Sequence, residues 1–410
     1  MAIRSFLGPH ASWAASFQYR DFRFLWGATL LHSLAMGMEQ VALGWLVLQL
    51  TDSPFMVGVS AAARMAPFFF LGILSGAITD RVDRRIFLRI VTVGGSVIAF
   101  LMAAMLLSGI EEVWYVIGLA VATGCMWAFV MTIRNSYTFD IVGPTNALNG
   151  LSLNAMGQRI GGVIGSLAAG VIISLAGMGA QYVAIGAVNI AAVIFLLGAR
   201  DVGQAAPRER ESVLTNFVGY FQLLRENRIL MTLMLLTGAT EIFGFTHQSV
   251  LPVYARDVLG VSALGFGIIT AVRQGGGAVG LLILAFMGNT KGKGRIMFAT
   301  ATGFGLGQVA FFWSKSLVAF ILVLGFINAC GSMVDTLYKT LMQLSVTNEQ
   351  RGRATGSWVL SIGVAPIGHL GVGAIAGSLG APAALLFNGS VLTAVSIAAA
   401  LGLPRMRRLQ

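Results

Sequence analysis

Apolar stretches long enough to form membrane-crossing helices recur along the whole chain. They fall at about residues 24–50, 55–79, 86–109, 113–137, 148–176 and 180–199, and again at about 229–252, 263–288, 295–314, 317–344, 353–378 and 382–403. A hydrocarbon core about 30 Å thick takes roughly 20 helical residues to cross. The pattern therefore predicts an all-α membrane protein with twelve transmembrane helices in two groups of six. Between the groups, Asp201, Arg208, Glu209, Arg210, Glu211, Arg225, Glu226 and Arg228 interrupt the apolar pattern. This charge-rich stretch has the length and polarity of a loop joining two bundles. The expected organisation is an N-terminal six-helix half over 1–199, a central cytoplasmic loop over 200–228 and a C-terminal six-helix half over 229–410.

Charge placement gives the orientation. The segment from Met1 to Phe22 contains Arg4, Gly8, Pro9, His10, Gln18, Arg20 and Asp21. It lacks an apolar core followed by a small-residue cleavage site, so no cleavable signal peptide is expected and the N-terminus is expected in the cytoplasm. With that start, Lys and Arg gather at cytoplasmic helix ends: Arg4, Arg20 and Arg23; Arg81, Arg84, Arg85 and Arg89; the central loop; Lys291, Lys293 and Arg295; Arg351 and Arg353; Arg405, Arg407 and Arg408. Arg256 and Lys315 fall on the other side. The reverse orientation inverts this positive-inside bias.

Composition agrees with a lipid environment. Of 410 residues, 56% are hydrophobic and 10% charged, where soluble domains carry about a quarter charged residues. The mean hydropathy is +0.81. Lys and Arg outnumber Asp and Glu, 27 to 16. The basic residues lie in short runs between apolar stretches, which suits an anionic membrane leaflet and gives no reason to expect a nucleic-acid partner. Cys125 and Cys330 sit inside apolar stretches, where they read as packing residues with no disulfide framework or metal motif. The nearest approach to a nucleotide-binding loop, Gly292-Lys293, is followed by Gly294 and has Met287 five residues before Gly292. ATP is thus not expected as the direct energy source. Metalloprotease and hydrolase motifs are likewise missing, so neither catalytic residues nor a cofactor is expected.

An internal repeat links the two groups. Ser53-Pro-Phe-Met-Val-Gly58-Val-Ser-Ala-Ala-Ala-Arg64 aligns without gaps on Ser262-Ala-Leu-Gly-Phe-Gly267-Ile-Ile-Thr-Ala-Val-Arg273 at a shift of 209 residues. A weaker match sets Gly165 beside Gly368. Parallel repeats of this kind are the mark of a rocking transporter with its site between halves.

Gly76-Ala-Ile-Thr-Asp80-Arg81-Val-Asp83-Arg84-Arg85 is similar to the G-x-x-x-D-R-x-G-R-R signature of the major facilitator superfamily, and the chain resembles that family over essentially its full length. In physical terms Gly76 permits close helix approach, Asp80 can cap the following helix and the arginines pin a short turn to the cytoplasmic leaflet as a latch. Asp83 stands where the signature has glycine, and Asp tolerates the left-handed conformation of such a turn. Further segments resemble the exporter branch that includes enterobactin exporters and drug efflux proteins. These are Phe22-Arg-Phe-Leu-Trp26, Leu50-Thr51-Asp52-Ser53, Leu251-Pro252-Val-Tyr-Ala-Arg256-Asp257-Val-Leu-Gly260, and Arg351-Gly352-Arg353 with Ala365-Pro366-Ile-Gly368. Arg159-Ile-Gly161-Gly162-Val-Ile-Gly165-Ser166-Leu-Ala-Ala-Gly170 is similar to the family's glycine-rich antiporter motif, with Ser166 in place of its proline; Gly161, Gly162, Gly165 and Gly170 are the expected helix-packing residues. The resemblance implies export across a bacterial inner membrane, with both termini cytoplasmic.

A charge near the bilayer centre costs about 2.5–3.5 kcal/mol on insertion scales, so each one marks a functional candidate. Glu39, Arg64, Arg159, Glu241, Arg273 and Asp335 fall inside predicted spans. The repeat makes Arg64 and Arg273 equivalent and pairs Glu39 with Gln248 and Glu241 with His32. Glu39, Glu241 and Asp335 are the candidate proton carriers. Alternatively, Glu39 with Arg64 and Glu241 with Arg273 are permanent interhelical ion pairs. Asp335 and Lys339 stand one helical turn apart, so a local pair is also open. Arg64, Arg273, Arg159, His32 and His247 are candidates for charge pairing or substrate contact, and Trp127, Phe243 and Phe245 for stacking on a planar substrate. Phe129 and Trp358 are further stacking candidates, and His369, like His32 and His247, can relay a proton or serve as a hydrogen-bonded packing residue. Arg134 and Asp140 are expected toward the cytoplasmic end as gate or topology residues.

The expected function is secondary active transport by a monomer: proton-coupled efflux of an amphipathic drug, siderophore or secondary metabolite by alternating access. An importer or lysolipid translocator on the same fold, and a non-transporting receptor or scaffold, are the alternatives.

Overall fold

The computed structural model describes residues 14–79, 82–200, 224–288, 290–347 and 350–409, without the side chains of 72–79, 351–353 and 355. No strand occurs among the described residues. The chain runs through α1 (Arg20–Thr51), α2 (Pro54–Thr79), α3 (Arg84–Leu107) and a helical run of 86 residues, α4 (Val113–Gly198). A straight helix of that length would measure about 130 Å at 1.5 Å per residue, some four times the hydrocarbon core. It is broken at two glycines in the left-handed region, Gly143 (φ 69°) and Gly177 (φ 81°), the first followed by Pro144. Both breaks fall in the gaps between predicted spans.

The C-terminal part begins with α5 (Arg228–Thr240), passes through a π-helical turn at Glu241–Phe245 into α6 (His247–Val253), and ends this run in a second π turn at Tyr254–Val258. There follow α7 (Ala263–Met287), α8 (Lys293–Ala310), α9 (Leu317–Leu344), α10 (Arg351–Ile362), α11 (Ala365–Leu379) and α12 (Ala381–Gly402). The stretch 353–378, expected as one span, is divided at Gly363 and Val364, just before Pro366, which has no N–H to give to the Ile362 carbonyl and is tolerated in the first turn of a new helix. Ten helical runs among the described residues are long and apolar enough to cross a membrane, counting α4 once and α10 with α11 as one.

Helices α1, α2 and α3 pack on α4; α7 and α8 pack on α9, and α12 on α8. These N-terminal and C-terminal groups meet mainly along two seams, α2 against α11 and α4 against α7. The seams depend on small residues. A Cβ at Gly58 would stand 2.5 Å from the His369 carbonyl oxygen, and one at Gly165, within the N-terminal group, 2.0 Å from that of Leu34. The outer surface is apolar: Leu148, Leu175 and Phe286 are each more than four-fifths exposed. Such a surface is an aggregation liability in water and is at ease in hydrocarbon.

Polar links fasten the two ends. At one end Arg84 donates to both Asp140 carboxylate oxygens at 2.7 and 2.9 Å, joining α3 to α4. Arg89 donates to the Leu196 and Ala199 carbonyls, and Arg85 to that of Arg200, capping the last turn of α4. At the other end Arg256 donates to Asp52 at 2.5 Å and to the Leu48 carbonyl at 3.4 Å, tying the second π turn to the end of α1. Asp52 itself closes α1 in the left-handed conformation (φ 50°).

Candidate functional site

Glu39 on α1 and Arg64 on α2 form an ion pair at 3.3 Å, with both side chains largely buried. The Arg64 guanidinium also lies over the Trp127 indole, 5.9 Å from its centroid. These three residues line a small cavity inside the N-terminal group together with His32, Tyr182 and Asn189. His32 meets Asn189 at 3.3 Å through Nδ1. Buried polar atoms facing this region lack partners among the described residues: His32 Nε2, Arg64 Nε and the Tyr182 hydroxyl. Buried polar groups without protein partners usually hold water.

The repeat-related position in the C-terminal group holds a different arrangement. Arg273 on α7 donates to Gln248 Oε1, at the position equivalent to Glu39, and to Gln40 Oε1, which reaches over from α1. Gln274 donates to the same Gln40 oxygen at 3.3 Å. Arg159, on the middle piece of α4, donates to Gln274 at 3.5 Å and to Ser332 at 3.4 Å. The same residue pair that is salt-bridged in the first group is thus a cation and a neutral amide in the second.

The expected pair of Glu241 with Arg273 does not form. Glu241 lies seven residues before Gln248, about 10 Å along a helix axis, so the arginine that meets Gln248 is out of its reach. Glu241 is buried at the start of the π turn and has no hydrogen-bond or ion-pair partner among the described residues. Asp335 lies close enough to act on it electrostatically. The local pair of Asp335 with Lys339 is absent too. The Trp358 indole N–H donates to Asp335 at 2.7 Å, and the Lys339 ammonium sits over the same indole, 4.6 Å from its centroid.

The remaining candidates divide. His247 is fully buried, with Nδ1 2.8 Å from the Gly244 carbonyl and its ring edge-on to Phe304, and His369 meets the Ser249 hydroxyl at 2.6 Å. The other nitrogen of His247, Nε2, is buried and has no partner among the described residues. Phe245 stacks edge-on against Phe304, and Phe243 packs beside the main apolar core. Arg134, expected near a surface end, is buried, with its Nε unpartnered among the described residues. Gly161, Gly162, Gly165 and Gly170 bring the middle piece of α4 against α1 and α7. Ser166 donates to the Gly162 carbonyl at 2.8 Å and leaves the helix unbroken.

Asp80 and Arg81 of the signature lie outside the described residues, as do the surroundings of Gly76. The cap on α3 is Asp83, not Asp80. It adopts extended geometry (φ −62°), not the left-handed turn, and accepts from the Arg85 and Ile86 amides at 2.9 and 3.2 Å. Inspection of charges alone overlooks Gln40, Gln274, Ser332, Tyr182 and Asn189. The signal for the first two was their position beside Glu39 and Arg273 within apolar helices.

A family profile described as transmembrane secretion effector matches residues 11–409, nearly the whole chain. The chain belongs to this family of major facilitator transporters. Among curated proteins similar to this chain, the staphyloferrin A transporter of Staphylococcus aureus is 23% identical, over 85% of this chain and 87% of its own. The enterobactin exporter EntS of Citrobacter koseri is 24% identical, over 85% of each. Among solved structures, the nucleoside transporter NupG superposes with a TM-score of 0.71 at 15% identity, covering 95% of this chain and 100% of its own. A POT family transporter in complex with 5-aminolevulinic acid superposes at 0.77 and 11% identity, covering 95% and 97%. These likenesses establish a multi-pass membrane protein with the major facilitator fold.

Proposed function

We propose that the protein is a secondary active exporter in a bacterial inner membrane. Two six-helix halves, residues 1–199 and 229–410, joined by the cytoplasmic loop 200–228, rock about a central site and expel an amphipathic small molecule in exchange for protons. The three pieces of α4 count as separate spans in this reading, which gives twelve, with both termini in the cytoplasm. The packing around Asp52 and Arg256 is then the closed periplasmic side of an inward-facing state. Transporters named for staphyloferrin A and enterobactin among the relatives support a siderophore or similar secondary metabolite as cargo.

One observation carries proton coupling: Glu241 is a buried carboxyl group with no partner among the described residues, set in a π turn between helix segments and within electrostatic range of Asp335. A permanent structural acid in hydrocarbon is paired, whereas a proton carrier has to be free to gain and lose its proton as the halves move. Interruptions of this kind in a helix recur at functional sites. Glu39, paired with Arg64, and Asp335, held by Trp358, are the further coupling candidates. The test is efflux of staphyloferrin A and of carboxyfluorescein from proteoliposomes with and without a pH gradient. Glu241→Gln is expected to retain counterflow and to lose acceleration by the gradient. Undiminished acceleration removes Glu241 from the coupling mechanism.

A further inference from the structure

Two guanidinium groups on opposite sides of the seam between α4 and α7, Arg273 buried and Arg159 partly buried, have no carboxylate in contact. Arg273 is held by the amide oxygens of Gln248 and Gln40, and Arg159 by long contacts to Gln274 and Ser332. Each guanidinium has five N–H donors, and the remainder on both arginines have no partner among the described residues. Asp335 lies close enough to act on Arg159 electrostatically but makes no ion pair with it; one of its oxygens accepts from Trp358. Arg159 and Arg64 each lie close enough to Arg273 to repel it. Arg64 alone carries its own counter-charge, Glu39.

The repeat shows what is missing. At the position equivalent to Glu39, the second half has Gln248, which keeps the hydrogen bond and omits the charge. An unneutralised arginine far from water is costly, and Arg cannot shed its proton to escape that cost. Room has also been kept for the group: a Cβ at Gly277 would stand 2.7 Å from Arg159 Nη1. Gln40 on α1 accepts from both Arg273 and Gln274 on α7, so the cluster joins the two halves.

We propose that Arg159 and Arg273, with Gln40, Gln248 and Gln274 as positioning residues, form a site for the carboxylate of an amphipathic substrate. The substrate supplies the counter-charge that Gln248 lacks. Planar guanidinium forks match a carboxylate with two parallel hydrogen bonds. Because one arginine belongs to each half, a bound carboxylate links the halves at the seam on which they rock. The inference rests on the transport reading and narrows its cargo to anions.

The test uses two xanthene dyes of opposite charge, carboxyfluorescein and rhodamine 6G, binding to full-length protein in nanodiscs, read by fluorescence anisotropy. The wild type is expected to bind carboxyfluorescein at least tenfold more tightly than rhodamine 6G. Arg273→Gln removes that preference. Gln248→Glu also removes it while keeping both arginines, because it installs the internal counter-charge that Glu39 gives Arg64; it guards against a variant that simply fails to fold. Equal affinity for the two dyes, including no binding of either, overturns the proposal, as does an unchanged anion preference in Gln248→Glu. Dye counterflow in proteoliposomes separates the two claims. Counterflow without anion preference leaves transport standing and removes the anion site; anion preference without any counterflow removes the transport reading.

Discussion

Replacing Glu39 by alanine strands the Arg64 guanidinium in the interior, where the ion pair spans 3.3 Å and both side chains are nearly shielded from solvent. Breaking a buried pair from one side costs about 3–5 kcal/mol, most of it the unpaired charge. Glu39→Gln keeps an oxygen acceptor and reproduces the Gln248 and Arg273 arrangement that the protein already tolerates, so its cost is about 1–2 kcal/mol. Arg64→Ala is milder than Glu39→Ala, because a stranded carboxylate can take up a proton and a guanidinium cannot release one. The double variant Glu39→Ala with Arg64→Ala then recovers about 2–3 kcal/mol relative to the sum of the singles. The assay is a double-mutant cycle from SDS-induced unfolding in mixed micelles, followed by tryptophan fluorescence. A coupling energy below about 0.5 kcal/mol, the ordinary scatter of additivity, refutes the claim that Glu39 is the counter-charge of Arg64.

Three further outcomes follow from the packing. Arg256→Ala cuts the tie from the second π turn to Asp52 and the end of α1; spin labels at residues 53 and 381 should show a larger share of long distances by pulsed electron resonance, and an unchanged distribution contradicts this. Gly165→Leu forces a side chain against the Leu34 carbonyl, whereas Gly371 has open space beside it; fluorescence-detected size exclusion should show loss of folded protein for the first and a wild-type profile for Gly371→Leu. Asp83→Ala removes the acceptor for two amides at the start of α3; a loss of about 1 kcal/mol is expected, read as a lower unfolding midpoint, while Asp83→Asn should retain most of it.

Much of the architecture was legible because bilayer crossing imposes a length and a polarity on every span. The gaps between predicted spans fell where Gly143 and Gly177 break α4. The division before Pro366 and the two π turns in the seventh predicted span were not foreseen, since hydropathy is blind to the helical register inside an apolar run. In the site, the repeat register located Gln248 opposite Arg273, while pairing Glu241 with Arg273 by helix rank ignored two turns of helix between Glu241 and Gln248. Asp335 and Lys339 satisfy the spacing for a local pair, yet Trp358 from a second helix takes both. Contacts of that kind depend on tertiary packing and leave no periodic trace.

The central claim is that transport requires the α2 and α11 seam to part. A Cβ at Gly377 lies 3.9 Å from the Phe55 Cβ, within the range that a disulfide spans. In a protein with Cys125 and Cys330 replaced by serine, Phe55→Cys with Gly377→Cys should cross-link on oxidation and stop counterflow of staphyloferrin A and carboxyfluorescein in proteoliposomes, with recovery on reduction. Full counterflow across a completely cross-linked seam would contradict the account.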